Sequence, residues 1–208
     1  MSGGLCRYFF EKQSDISFAV YVVDKVMKDN GFSFSSPDFK YAILFDGAGE
    51  EITCYENEFV DLLNSIGKTF LITLWKNTLP ASIYIDMSDS RYDIFDLVLD
   101  GLNTDECDQL VGNISDPILK SSRGLRGILI DRRGDLIELC HRYNDDQYLD
   151  LMFNNESDVR KELTQIYTYK KETFDRLELC TLNNKNENNI YVYNFLPDGK
   201  IEACIFEL

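Results

Sequence analysis

Histidine is nearly missing from this chain: there is one, His141, in 208 residues. That excludes a multi-histidine metal centre, and any imidazole-dependent nucleophilic mechanism would have to run through that one side chain. His141 follows Cys140, but neighbouring strand residues point to opposite faces, so the two do not simply pair. A structural or surface histidine is the expectation. Long apolar runs are missing as well; the longest are a few residues, far short of the ~20 needed to span a bilayer. The opening MSGGLCRYFF has no basic stretch followed by an apolar one, so no signal peptide is expected and the chain reads as cytoplasmic. The six cysteines, at 6, 54, 107, 140, 180 and 204, are never close in sequence. They read as buried free thiols rather than a disulfide framework or a zinc site.

Basic residues are scarce. Lysine and arginine total 21 against 36 acids, a formal net charge of −15. A field of that sign repels nucleic-acid phosphates and anionic lipid, so neither direct nucleic-acid binding nor membrane association is expected. It attracts basic protein surfaces and divalent cations instead. Disorder is not implied: 44% of the residues are hydrophobic, with 14 Phe and 12 Tyr, enough for a real core.

Motifs of known chemistry fail on inspection. Gly67-Lys68-Thr69 has the tail of a phosphate-binding loop, but the glycine needed five residues earlier is Leu62. The tripeptide also ends a helical pattern instead of opening one, so Gly67 reads as a helix C-cap. Asp86, Ser88, Asp89 and Asp93 form a dense group of oxygen ligands, yet Leu97 stands where a calcium loop needs its closing glutamate. An acidic turn is the simpler reading. Asp105-Glu106 suits a helix start, where carboxylates meet the positive end of the dipole. No catalytic residue, metal or cofactor is assigned.

Periodicity gives a sequence of elements. Residues 16–27 form a helical stripe that Ser14 or Asp15 could cap and Asn30-Gly31 could stop. Pro37 precedes a buried strand at 41–45, a turn at 46–49 and a return strand at 51–55. A short helix at 58–66 follows, then strands at 69–75, 82–87 and 94–99, with Pro80 between the first two. The second half reads similarly. A helix is expected at 104–111, followed after Pro117 by a turn or short helix; a strand at 127–130 and a return strand at 136–140 form a hairpin; helices are expected at 146–153 and 157–169. Strands at 174–181, 190–195 and 201–206 close the chain, with Pro197-Asp198-Gly199 as a hairpin turn.

The predicted class is α+β, mainly antiparallel sheets with packed helices, with two tandem helix–hairpin–helix–meander units at 1–102 and 103–208 as a candidate arrangement. Ile43-Leu44-Phe45-Asp46 matches Ile128-Leu129-Ile130-Asp131 at an offset of 85. Hairpin turns demand such letters independently, so the match is suggestive only.

Three functional classes follow. The first is a non-enzymatic acidic binding protein that docks on a basic protein partner and inhibits or neutralises it, as an immunity protein or inhibitor would. The second is an enzyme or small-ligand sensor using a cleft between two similar halves. The third is an assembly subunit or scaffold. Candidate partner- or ligand-binding residues are the acids of the two hairpin turns, Asp46 and Glu50 with Asp131 and Asp135, and the arginines beside the second, Arg132 and Arg133.

Overall fold

The computed structural model describes residues 4–13, 16–89, 91–121, 124–132, 165–170, 189–196 and 198–207. The expectations for Ser14, Asp15, Arg133, Asp135 and His141, for the return strand at 136–140, the helix at 146–153 and the strand at 174–181 lie outside the described residues. Mainly antiparallel strands with a few helices make up the described part, as the α+β reading expects. The chain divides into two compact units, one holding Phe9–Val98 and Asn113–Gly124, the other Met1–Tyr8, Leu99–Gly112 and Leu125–Leu208. Nothing in them shows a tandem duplication.

In the first unit, strands β2 (Ala42–Asp46), β3 (Glu51–Cys54), β4 (Thr69–Lys76), β5 (Leu79–Asp86) and β6 (Tyr92–Val98) lie in the order β3-β2-β4-β5-β6. The Phe9–Glu11 end of β1 (Leu5–Glu11) borders β6. The pairs β2–β3, β2–β4, β4–β5 and β5–β6 are antiparallel. The longest ladder, β4 with β5, turns at Asn77-Thr78, where Asn77 takes the left-handed conformation (φ 59°) that asparagine tolerates best after glycine. The turn therefore falls before Pro80. Pro80 sits inside β5 near its start, opposite Trp75 and exposed, where a missing N–H is tolerated.

One face of this sheet is a dense core. Ala42, Leu44, Phe70, Ile72, Leu74, Ala81, Ile83, Ile85, Phe95 and Leu97 alternate inward and are at most 3% exposed. Helix α1 (Ser17–Val20), continued by a π-helical stretch (Tyr21–Met27), buries Ala19, Val22, Val23, Val26 and Met27. Its Phe18 meets Phe95 and Phe10 edge-on or tilted. Helix α2 (Phe59–Ser65) packs beside α1 and stacks Phe59 on Phe34 at 3.9 Å. The first helix stops where the sequence says it should. Gly31 is left-handed (φ 84°), the Phe32 N–H reaches the Met27 carbonyl, and the Asn30 amide reaches the Val26 carbonyl.

A buried ion pair ties β1 to β6. Asp93 is wholly buried and accepts from Lys12 Nζ at 2.8 Å and from the Gln13 N–H at 3.0 Å, while Lys12 also donates to the Met87 carbonyl at 2.6 Å. With both oxygens engaged, the carboxylate recovers much of the solvation it gave up.

In the second unit, the Leu5–Tyr8 end of β1 is followed by β7 (Leu125–Asp131), β9 (Asn189–Phe195), β10 (Lys200–Glu207) and β8 (Gln165–Lys170). β9 and β10 form the hairpin expected at Asp198-Gly199, with Gly199 left-handed (φ 79°). β7 pairs with β9. Helix α3 (Thr104–Ser121), of which Thr104–Gly112 belongs to this unit and Asn113–Ser121 to the first, starts on a capping box: the Asn103 side chain accepts from the Glu106 N–H, and Glu106 accepts from the Asn103 N–H.

Three expectations need correction. Pro117 does not break the helix. α3 runs through it, because Leu110, Val111, Ile114 and Ile118 continue one buried stripe on both sides of the proline. Burial of that stripe outweighs the lost hydrogen bond. The helix expected over 157–169 gives way at its end to β8, since Gln165-Ile166-Tyr167-Thr168-Tyr169 is strand-favouring by propensity and pairs along β10. Finally, β1 was not expected at all. Its run of Tyr8, Phe9 and Phe10 is buried on both faces and shows no alternation to read.

Removing Asp93 tests the buried pair. Asp93→Ala strands Lys12 in a largely buried site and is expected to lower the unfolding free energy by about 3 kcal/mol, read from the urea midpoint. Asp93→Asn keeps one of the two acceptor oxygens and the side-chain volume, and loses less.

Candidate functional site

The first unit's sheet has a second face, and its composition differs from the core face. Alternation along the paired strands places Ile43 and Phe45 (β2), Glu51 and Thr53 (β3), Leu71, Thr73 and Trp75 (β4), and Ser82, Tyr84 and Asp86 (β5) on it. Each of these is exposed or half-buried. Register aligns one row across five strands: Glu51, Phe45, Leu71, Tyr84 and Asp96 are successive partners. At ~4.8 Å per strand the row is about 19 Å long. Its middle is apolar and aromatic, and a carboxylate stands at each end. Beside it Thr53, Ile43, Thr73 and Ser82 make a second row, with the Thr73 and Ser82 hydroxyls 3.3 Å apart.

No lysine or arginine lies on this face along β2 to β6, whereas Glu51, Asp86 and Asp96 do. The field is felt by the ring between them. Tyr84 is 37% exposed, and its phenol is pushed above the ordinary tyrosine value, first by partial burial and then by the charges of Asp86 and Asp96. Tyrosine and tryptophan on an open sheet, with acid at the margin, have the make-up of a protein-binding surface.

The hairpin that ends this sheet is still more acidic. Residues 38–61 hold seven carboxylates (Asp38, Asp46, Glu50, Glu51, Glu56, Glu58 and Asp61) against one base, Lys40. Two of the largest exposed apolar side chains are here, Phe39 (59%) and Tyr55 (64%). Phe39 stacks on Tyr41 at 5.6 Å, and Tyr41 and Tyr55 flank the Ala42–Cys54 pair that closes the ladder.

The residues singled out from sequence fall into two groups. Asp46 ends β2, and its carboxylate accepts from the Ala48 and Glu50 N–H groups at 2.9 Å each. It builds the turn. The turn tip is also tight against β4: a Cβ on Gly47 would lie 2.3 Å from the Thr69 hydroxyl, which would have to turn aside. Glu50 is exposed on the same hairpin. Asp131 and Arg132 belong to the other unit. Asp131 is 1% exposed at the end of β7, and Arg132 pairs its guanidinium with Asp108 of α3, its side chain 7% exposed. Arg132 thus serves packing in its own unit. The acidic group at 86–93 behaves as turn chemistry: Asp86 accepts from the Ser88 N–H and hydroxyl, and Asp89 from the Arg91 and Tyr92 N–H groups. Gly67 (φ 103°) ends α2 and leads into β4, as a C-cap does.

The open sheet face escaped the sequence reading because Leu71 and Trp75 stand on it, so β4 is apolar on both faces. A single strand's pattern cannot say which face is covered. A separate pocket of about 370 Å³ lies beside the first helix, lined by Glu11, Gln13, Ser17, Phe18, Tyr21 and Gly124. The Gln13 amide is already held by the Glu11 carbonyl, and the Glu11 N–H by the Gly124 carbonyl. Among the described residues, Cys6, Cys54, Cys107 and Cys204 are buried free thiols, and no group of three or more His, Cys, Asp or Glu is placed to hold a metal ion. Burial and the charge of Glu58 raise the Cys54 thiol above its ordinary value. No helix among these residues is long and apolar enough to cross a membrane. No protein-family model, curated protein or solved structure matches the chain.

Charge removal tests the field at the face. Asp86→Asn, alone and with Asp96→Asn, is expected to lower the Tyr84 phenol pKa, followed by the ring-carbon NMR shift against pH. A titration unchanged in both variants would show that the acids do not act on this ring.

Proposed function

We propose that this chain is a non-enzymatic acidic binding protein that docks on a basic protein partner and inhibits or neutralises it by covering its working surface. The observation that supports this reading most is the open face of the first unit's sheet, where Phe45, Trp75 and Tyr84 stand with Glu51 and Asp86 and, along β2 to β6, no base. Aromatic side chains of this kind supply binding energy when water is excluded, and one well-packed anchor can account for 2 kcal/mol or more. The acids act earlier. A net charge of −15 speeds encounter with a positive surface and disfavours acidic competitors. The immobilised full-length protein is expected to capture a partner of net positive charge, and the binding of that purified partner should weaken steeply as salt rises. Tyr84→Ala should cost about ten-fold in affinity, mostly through faster dissociation. A captured partner of net negative charge, or binding indifferent to salt, would overturn the reading.

A further inference from the structure

The row that crosses the open face ends at β3, and β3 is the terminal strand of the sheet order. The phase of its ladder is set by the turn: the Asp46 N–H reaches the Glu50 carbonyl at 3.1 Å, so Asp46 and Glu50 form a hydrogen-bonded pair. Antiparallel alternation then makes Leu44–Ile52 and Ala42–Cys54 the next such pairs. The backbone N–H and C=O groups of Glu51 and Thr53 therefore point away from β2, toward the sheet's open side. Both residues are exposed. The opening is bounded. At one end Tyr55 turns its outward groups to its own loop, its N–H donating to the Glu58 carboxylate at 3.1 Å and its carbonyl accepting from the Glu58 N–H at 3.0 Å. At the other end is the Asp46–Glu50 turn.

Edge strands usually carry lysine, proline or a bulge that blocks pairing. β3 (Glu51-Ile52-Thr53-Cys54) has none of these; its one charge is Glu51, inside the segment with seven acids and one base. That charge discriminates between partners. Two copies of this acidic segment repel one another, whereas a lysine or arginine opposite Glu51 forms a favourable cross-strand pair.

We propose that the β3 edge takes up an extended, Lys/Arg-bearing segment of the basic partner as an added strand, held by the outward backbone groups of Glu51 and Thr53. The proposal rests on the docking reading above and names how the partner is held. An added strand would lengthen the row that runs from Glu51 to Asp96, making edge and face one continuous surface.

The probe is a fluorescent peptide, Lys-Val-Lys-Val-Lys-Val-Lys, compared with the same sequence N-methylated at alternate residues, which keeps the charge and removes the pairing donors. Wild-type full-length protein is expected to bind the first at least ten-fold more tightly at low salt, and the peptide should slow exchange of the Thr53 amide proton. Thr53→Pro deletes only an N–H that faces outward, so the β2 ladder stays intact, and it should erase the difference between the peptides. Equal binding of the two peptides by wild type, no binding of either, or an unprotected Thr53 amide would overturn strand addition. The peptide comparison on wild type decides the matter even if Thr53→Pro does not fold. The docking reading is judged separately, by the captured partner's charge and salt response, so the two can fail independently.

Discussion

The cross-strand register of β4 and β5 is the constraint on which the first unit depends. Eight consecutive pairs, from Thr69–Asp86 to Lys76–Leu79, are locked by a two-residue turn whose first residue, Asn77, holds φ at 59°. A slip of one residue would carry Phe70, Ile72 and Leu74 to the open side and bring Thr69, Leu71 and Thr73 inward. The buried face would then receive hydroxyls, and the aromatic–acidic row would dissolve. Core and candidate site are thus two consequences of one register. Burial enforces it from one side, since the inward residues are almost fully removed from water, and each such aliphatic side chain is worth roughly 1.5–3 kcal/mol.

Net charge alone is a blunt guide, because many of the acids are already used in building the fold. Asp46, Asp86 and Asp89 hold backbone N–H groups in turns. Asp93 and Asp108 neutralise Lys12 and Arg132 in sites mostly closed to water. Asp116 and Asp198 pair with lysines at the surface, where such pairs add little. Among the described residues, Glu50 and Glu51 of the β2–β3 hairpin stay exposed beside the open face. Lys28, beside that hairpin, is not a counter-charge in waiting. Burial works against its charge, but Asp24 and Glu56 outweigh that and raise its pKa.

The sequence showed elements wherever one side of a segment differed from the other. The β2–β3 hairpin, α2 and the strand runs that became β4 to β6 were all readable from turns and alternation, and so were the stops at Gly31 and Gly67. β1 was not, because Tyr8, Phe9 and Phe10 are buried on both sides and carry no period. Pro117 misled for a different reason. The stripe of Leu110, Val111, Ile114 and Ile118 continues past it, and its burial is decided by tertiary packing. β8 shows the same override by its pairing with β10. Of the six residues chosen as candidate binders, Asp46 and Arg132 proved to be occupied within the fold. Glu50 alone is described as exposed, and it stands at the hairpin turn.

Turn acids attract attention in a sequence because they cluster, and they cluster because turns need acceptors for their own N–H groups. A row across a sheet has the opposite property. Glu51, Phe45, Leu71, Tyr84 and Asp96 are scattered over 52 positions and become neighbours only through pairing. No local pattern could announce them. All of them but the buried Asp96 also keep side chains in reach of water, since the backbone ladder already satisfies the strands and the core face holds the helices. A surface made this way keeps aromatic rings rigid on a paired scaffold, so little conformational entropy is lost when a partner covers them. In the docking reading proposed above, charge brings a basic protein near and the row is what it holds.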